Sequence, residues 1–243
     1  MPIAVLVPWR TSSCPHRKRA FAWVLARLAV HGWPIIVGRH DDGPWCKAMA
    51  VADALDQTAA DVLVLHDADV IADGLAEAVR TVQAGAAWAM AHRSVHRLTE
   101  AATGRLIAGE DPAGLAVAER AYRGVEGGGI TIVRRDVYED CPLDPRFLGW
   151  SGEDEAFGWA LRTLNGPPWR PLGHAPLWHC WHPSQSRATR ARGSLVSWDL
   201  RKRYARAQHD PTAMRALIEE AKTCELDGPA EPAGDDRQAV RGR

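Results

Sequence analysis

The stretch DVLVLHDADV (61–70) poses the central problem of this chain. Val62 to Leu65 form an apolar run of strand length, and two carboxylates, Asp67 and Asp69, follow it at once. Unpaired charge beside a core is costly. A positive partner is therefore expected: a metal ion, a basic side chain, or the water-facing end of a sheet. Further out, IAVLV (3–7) and PIIVG (34–38) read as strands. Helical periodicity fills the gaps over 15–31, with Phe21, Val24, Leu25 and Leu28 on one face, and over 45–59. Strands and helices alternating at this spacing predict βαβ units, hence an α/β fold with a mostly parallel sheet and helices on both faces. Ligands of such sheets bind beyond the carboxyl ends of the strands. Three polar clusters fall on that rim: Pro8-Trp9-Arg10, Arg39-His40-Asp41-Asp42 and Asp67-Ala68-Asp69.

Downstream, AAWAMAH (86–92) reads as a strand and DPAGLAVAERAYR (111–123) as a short helix. EGGGITIVRRDVYED (126–140) gives a strand entered through three glycines, where a ligand or another backbone can come close. EDEAFGWALRTL (153–164) is a helix opened by acids, as its dipole favours. APLWHCWHP (175–183) is one more short strand. Residues 184–226 read as a basic helical extension, including a helix capped by Asp210 with Pro211 at its first position. Residues 227–243 are rich in Pro, Gly and charge and are expected to be disordered. Residues 1–183 form the main domain.

Among 243 residues the 30 basic and 30 acidic side chains balance, so no global field draws the chain to nucleic acid or membrane. No apolar run approaches the ~20 residues of a membrane span, and MPIAVLVPWR reads as a strand, not a signal peptide. Five scattered cysteines without a C-x-x-C pair point to reduced thiols and a cytoplasmic location. The 11 tryptophans supply flat faces suited to core packing and also to sugar rings and nucleobases.

A D-x-D after a strand suits Mg²⁺ or Mn²⁺ bridging nucleotide phosphates. The stretch DPRFLGWSGEDEAFGWAL (144–161) then adds a second motif. Gly149-Trp150-Ser151-Gly152-Glu153-Asp154-Glu155 resembles the GWGGEDxE acceptor-side motif of inverting, galactosyltransferase-like enzymes of the GT-A glycosyltransferase fold. The Gly128 segment and its strand resemble the same family, and the likeness covers roughly residues 3–183. Ser151 stands where the family has glycine, and Lys47 where it often has arginine.

The resemblance implies transfer of a sugar, with inversion, from a nucleotide-sugar such as a UDP-sugar to an acceptor hydroxyl. Asp154 would be the general base and Glu153 would orient the acceptor. Trp150 and Gly128 would meet the donor. Asp69 and His179 would hold Mn²⁺ or Mg²⁺, with His182 on phosphate or behind the metal. Asp67 would bind ribose or a metal-bound water, and Arg10, Asp42 and Lys47 would contact the nucleotide. A glycan, a glycoprotein or a modified DNA base are the acceptors to weigh.

Rival readings stay in view. A haloacid-dehalogenase-type phosphatase also uses D-x-D, but after its first strand and before a glycine-threonine turn. A His-x-Cys-His zinc site lacks further ligands of suitable spacing. A polyanion-binding protein without catalysis would use the basic stretch 187–206.

Overall fold

The computed structural model describes residues 1–149, 152–183 and 187–224, with side chains from Ser197 to Thr223 in the last segment. Trp150, Ser151 and the expected tail 227–243 lie outside the described residues. In chain order the elements are β1 (Ile3–Trp9), α1 (Pro15–Ala29), β2 (Ile35–Arg39), α2 (Lys47–Leu55), β3 (Val62–His66), β4 (Val70–Ala72), α3 (Leu75–Gln83) and β5 (Trp88–Met90). They continue as β6 (Ser94–Arg97), α4 (Glu100–Ile107), β7 (Ile130–Arg134), α5 (Arg135–Asp140), α6 (Glu153–Asn165), β8 (Pro176–His179), α7 (Arg187–Ala207) and α8 (Pro211–Cys224).

The main sheet has the order β2-β1-β3-β7-β5. β1 pairs in parallel with β2 and β3, while β7 is antiparallel to β3 and to β5. Four strands thus share one direction and β7 opposes them. Side chains alternate faces along a strand. Leu6, Leu63, Leu65 and Val133 enter the core beneath α2 and α6, and Val5, Val7, Val64 and Ile132 pack against α1 and α3. Both faces are covered, which is why these strands read as continuous apolar runs.

A smaller sheet, β4-β8-β6, lies at the rim. The chain over 111–123 is not a helix: Pro112 and Gly114 limit it to a single 3-10 turn, and beyond it Val117 and Tyr122 bridge to Leu98 and Val95. The helix of this region is α4, whose Thr99 Oγ1 accepts from Ala102 N–H at 3.2 Å.

Leu200, Tyr204, Met214, Leu217 and Ile218 of α7 and α8 join the same apolar cluster as Leu6 and Leu63. Their anchor is the buried Asp144, which accepts from Arg146 Nη2 at 2.7 Å and from the Tyr204 hydroxyl at 2.9 Å. Among the described residues no helix is long and apolar enough to cross a membrane, and the cysteines at 14, 46, 141 and 180 are free thiols.

Asp144→Ala leaves a half-buried guanidinium and a buried phenol without their shared acceptor. Urea unfolding should show a loss of about 3–5 kcal/mol, against about 1.5–3 for Tyr204→Phe, which removes one hydrogen bond to a charged acceptor. A larger loss in Tyr204→Phe than in Asp144→Ala would contradict Asp144 as the hub.

Candidate active site

The carboxyl ends of β1 and β3, the start of α6 and the small sheet border one cleft of about 570 Å³. Its centre is Lys47. A lysine at the first position of a helix stands where the helix dipole disfavours a cation, and this one is also buried, at 8% exposure. Two carboxylates compensate: Asp67 Oδ1 lies 2.7 Å from Nζ and Asp154 Oδ1 lies 2.8 Å from it. Burial works against the ammonium, but Asp154 and Asp67 outweigh it and hold the Lys47 pKa above its ordinary value. The Asp154 pKa is also raised, for a different reason. Burial raises its pKa, Lys47 opposes, and the neighbouring Asp67 charge adds to the rise. One ammonium is thus shared by two acids.

The first turn of α6 sends its three acids in three directions, as ~100° per residue requires. Glu153 lines the cleft, Asp154 turns in to Lys47, and Glu155 turns away to Arg201 of α7, whose Nη2 donates to Oε1 at 2.7 Å. Asp154 Oδ1 is anchored while Oδ2 faces Gly128, where a Cβ would sit only 2.9 Å from it.

Asp69 is brought to His179 by register, since Val70 pairs with His179 and Cys180 N–H donates to Asp69 O at 2.8 Å. His179 Nε2 lies 3.7 Å from Asp69 Oδ1, and His182 Nε2 lies 3.1 Å from Oδ2. His182 lies between two acceptors, with Nδ1 3.1 Å from the Pro183 carbonyl and Nε2 on the Asp69 carboxylate. His179 Nε2 lies 3.3 Å from Arg97 Nη1, which can only donate, so it presents a lone pair. Burial pushes the His179 imidazole below its ordinary pKa against the pull of Asp69. Two imidazoles and one carboxylate, with ligand atoms within 4.8 Å of one another, form a set that could hold a metal ion. A metal-ligating histidine commonly donates its other N–H to a carbonyl, and the Pro183 carbonyl stands beside His182 Nδ1 for that role.

Arg10 lines the cleft, with Nη2 donating to the carbonyls of Asp41 at 3.0 Å and Gly43 at 2.7 Å. Asp42 is exposed and does not line the cleft. Its neighbour Asp41 instead accepts from Thr11 N–H at 2.7 Å and Oγ1 at 3.0 Å. Gly128 lines the cleft floor, and Trp150 lies outside the described residues. Sequence reasoning missed Arg97, Tyr122 and His92, which also line the cleft. Arg97 and Tyr122, joined at 3.0 Å, come from β6 and the strand-like chain paired to it, which carry no readable period. His92 follows β5 on the same rim as the acids, and that position was its only signal.

No family model matches the chain, and no curated protein matches it in sequence. Its fold is similar to GalNAc-T7, solved with UDP, GalNAc and Mn²⁺, at 12% identity and TM-score 0.51, covering 91% of this chain and 55% of that one. The chain thus spans little more than half of that protein. It also aligns with Mycobacterium tuberculosis glucosyl-3-phosphoglycerate synthase, solved with Mn²⁺, UDP and glucosyl-3-phosphoglycerate, at 14% identity and TM-score 0.44, covering 85% and 79% of the two chains. A third alignment is with a Drosophila β1,4-galactosyltransferase 7 mutant solved with manganese, UDP-Gal and xylobiose, at 17% identity and TM-score 0.45, covering 79% and 74%. At these identities the likeness carries the fold alone: a mixed α/β, Rossmann-like arrangement of the GT-A kind.

Proposed function

We propose that the protein is a metal-dependent glycosyltransferase that moves a sugar, with inversion, from a nucleotide-sugar to an acceptor hydroxyl. One observation carries this reading. A set that could hold a cation, Asp69-His179-His182, and a half-buried carboxylate with a raised pKa, Asp154, border the same cleft at the carboxyl ends of the strands. The cleft's volume of about 570 Å³ suits a small ligand of nucleotide-sugar size. The three structures above were solved with a divalent metal, UDP or a UDP-sugar, and sugar-bearing ligands, in keeping with this reading.

Asp69, His179 and His182 would hold the ion, and two imidazoles favour a transition ion such as Mn²⁺ over the oxygen-seeking Mg²⁺. When bound, it supplies Lewis-acid charge to the leaving diphosphate. Arg10 and Thr11 border the nucleotide end. Lys47, itself held by Asp67, fixes Asp154 through Oδ1, leaving Oδ2 over the glycine floor to take the acceptor's proton as the acceptor oxygen attacks the anomeric carbon from the opposite face. A raised pKa strengthens that base. Glu153, beside it in the cleft, orients acceptor hydroxyls.

The acceptor reading favours a glycan or glycoprotein. Among the described side chains of α7, three basic charges that would serve a nucleic acid have acidic partners, Arg201 with Glu155, Lys202 with Asp199 and Arg203 with Glu220. Buried free thiols at Cys46, Cys141 and Cys180 fit a reducing, cytoplasmic setting.

A panel of nucleotide-sugars tests the reading. At least one should be hydrolysed slowly with Mn²⁺ and not with a chelator, and Asp69→Asn should abolish the difference. Failure of every donor to bind or turn over with Mn²⁺ would overturn it.

Two substitutions test the acid-base assignment. Asp154→Asn should lower transfer by about 10²–10⁴-fold with donor binding retained. Lys47→Gln removes the cation that favours ionised Asp154, so the acid limb of the pH-rate profile should move to higher pH. An unmoved limb would show that Asp154 is not the titrating base.

A further inference from the structure

At the end of the cleft away from Arg10, where β5 and β7 meet the small sheet, lies a cradle floored by glycine. A Cβ on Gly128 would stand 2.9 Å from Asp154 Oδ2, one on Gly129 would stand 2.6 Å from Leu177 Cδ1 and 3.3 Å from His92 Cε1, and one on Gly124 would stand 3.1 Å from His92 Nε2. The floor therefore runs without side chains from the proposed base to an imidazole. Its sides are apolar, formed by Val95, Val125 and Leu177. His92 brings a polar side chain to that end.

His92 is 1% exposed, and its Nδ1 is shut off from solvent with no partner among the described residues. Burial, aided by nearby Arg170, pushes the imidazole down to about 3, so the ring is neutral and carries one N–H. A hydrogen on Nδ1 would bury a donor with nothing to accept it, which is costly. On Nε2 the same hydrogen points toward Gly124 and Gly129, both of which line the cleft. A buried donor is thus left unspent at the bottom of an apolar cradle, on the same floor as the proposed base.

We propose that His92 selects the donor's sugar: its Nε2–H donates to an oxygen on the transferred ring, a hydroxyl or an acetamido carbonyl, while Val95, Val125 and Leu177 hold the ring's apolar face. This rests on the nucleotide-sugar reading and adds the residue that decides which sugar enters. It makes His92 a specificity residue, separate from the base at the other end of the floor.

Calorimetry with Mn²⁺ compares UDP- and GDP-linked hexoses and N-acetylhexosamines with the matching free diphosphate. In the wild-type protein the preferred sugar should add affinity over the diphosphate. His92→Leu should cut that increment about tenfold, the equivalent of about 1.4 kcal/mol. His92→Gln, which keeps an N–H donor, should recover part of it. Gly124→Ala leaves His92 intact but puts a methyl against Nε2 and should lower the increment as well, so the test survives poor folding of a His92 variant. A loss confined to N-acetylhexosamines identifies the acetamido oxygen as the partner, and an equal loss with hexoses identifies a hydroxyl. If the diphosphate binds but the sugar increment is unchanged in both His92→Leu and Gly124→Ala, the role of His92 is refuted. If no diphosphate binds the wild-type protein with Mn²⁺, the glycosyltransferase reading itself falls.

Discussion

The site depends on one ammonium held by two carboxylates. Lys47 sits where a helix start disfavours a cation and where water is largely excluded, so alone it would be strongly destabilising. Asp67 and Asp154 would repel each other without it. The three groups come from α2, the end of β3 and α6, so the contact ties the helix that carries the proposed base to the strand that carries the acidic rim. It also divides labour within D-x-D. Asp67 faces the lysine, and Asp69, two residues on, faces the two histidines.

The rest of the molecule holds that centre in place. The small sheet fixes His179 beside Asp69 through the pairing of β4 with β8, and β6 on its other side brings in Arg97. On the acceptor side α7 grips both flanks of the turn before α6. Ser197 Oγ donates to the Leu148 carbonyl at 2.9 Å, and the Arg201 side chain lies against Gly152 and Glu155. The basic helix thereby supports the site through Ser197 and Arg201. Arg201 also lies over the rings of Trp159 and Trp198, at 5.1 and 4.9 Å, which adds cation–π attraction to the same contact.

What was legible in the sequence follows the range of each signal. β1, β2 and β3 and the helices between them stood out because their apolar runs are of strand length and end at the polar clusters of the rim. The direction of β7 did not, because an apolar run shows that a strand exists and not which way it pairs. β4 and β6, at three and four residues, are too short to show a period, so the Arg97-Tyr122 side of the cleft stayed hidden. The stretch 111–123 was read as a short helix, whereas the helix of this region is α4. Lys47 was readable as a helix-start cation, yet its partners lie 20 and 107 residues away in the chain. The partners of Arg201 and Arg203 stayed hidden for the same reason, since Glu155 and Glu220 are distant in sequence.

The central claim is that Asp69, His179 and His182 bind a divalent ion that meets a nucleoside diphosphate in this cleft. Pulsed electron paramagnetic resonance on Mn²⁺ added to the protein addresses it directly. The account predicts nitrogen couplings from imidazole that disappear in the His179→Ala, His182→Ala double variant, and phosphorus couplings that arise when a nucleoside diphosphate is added. A spectrum of hydrated Mn²⁺ alone, unchanged by the protein and the diphosphate, would contradict it.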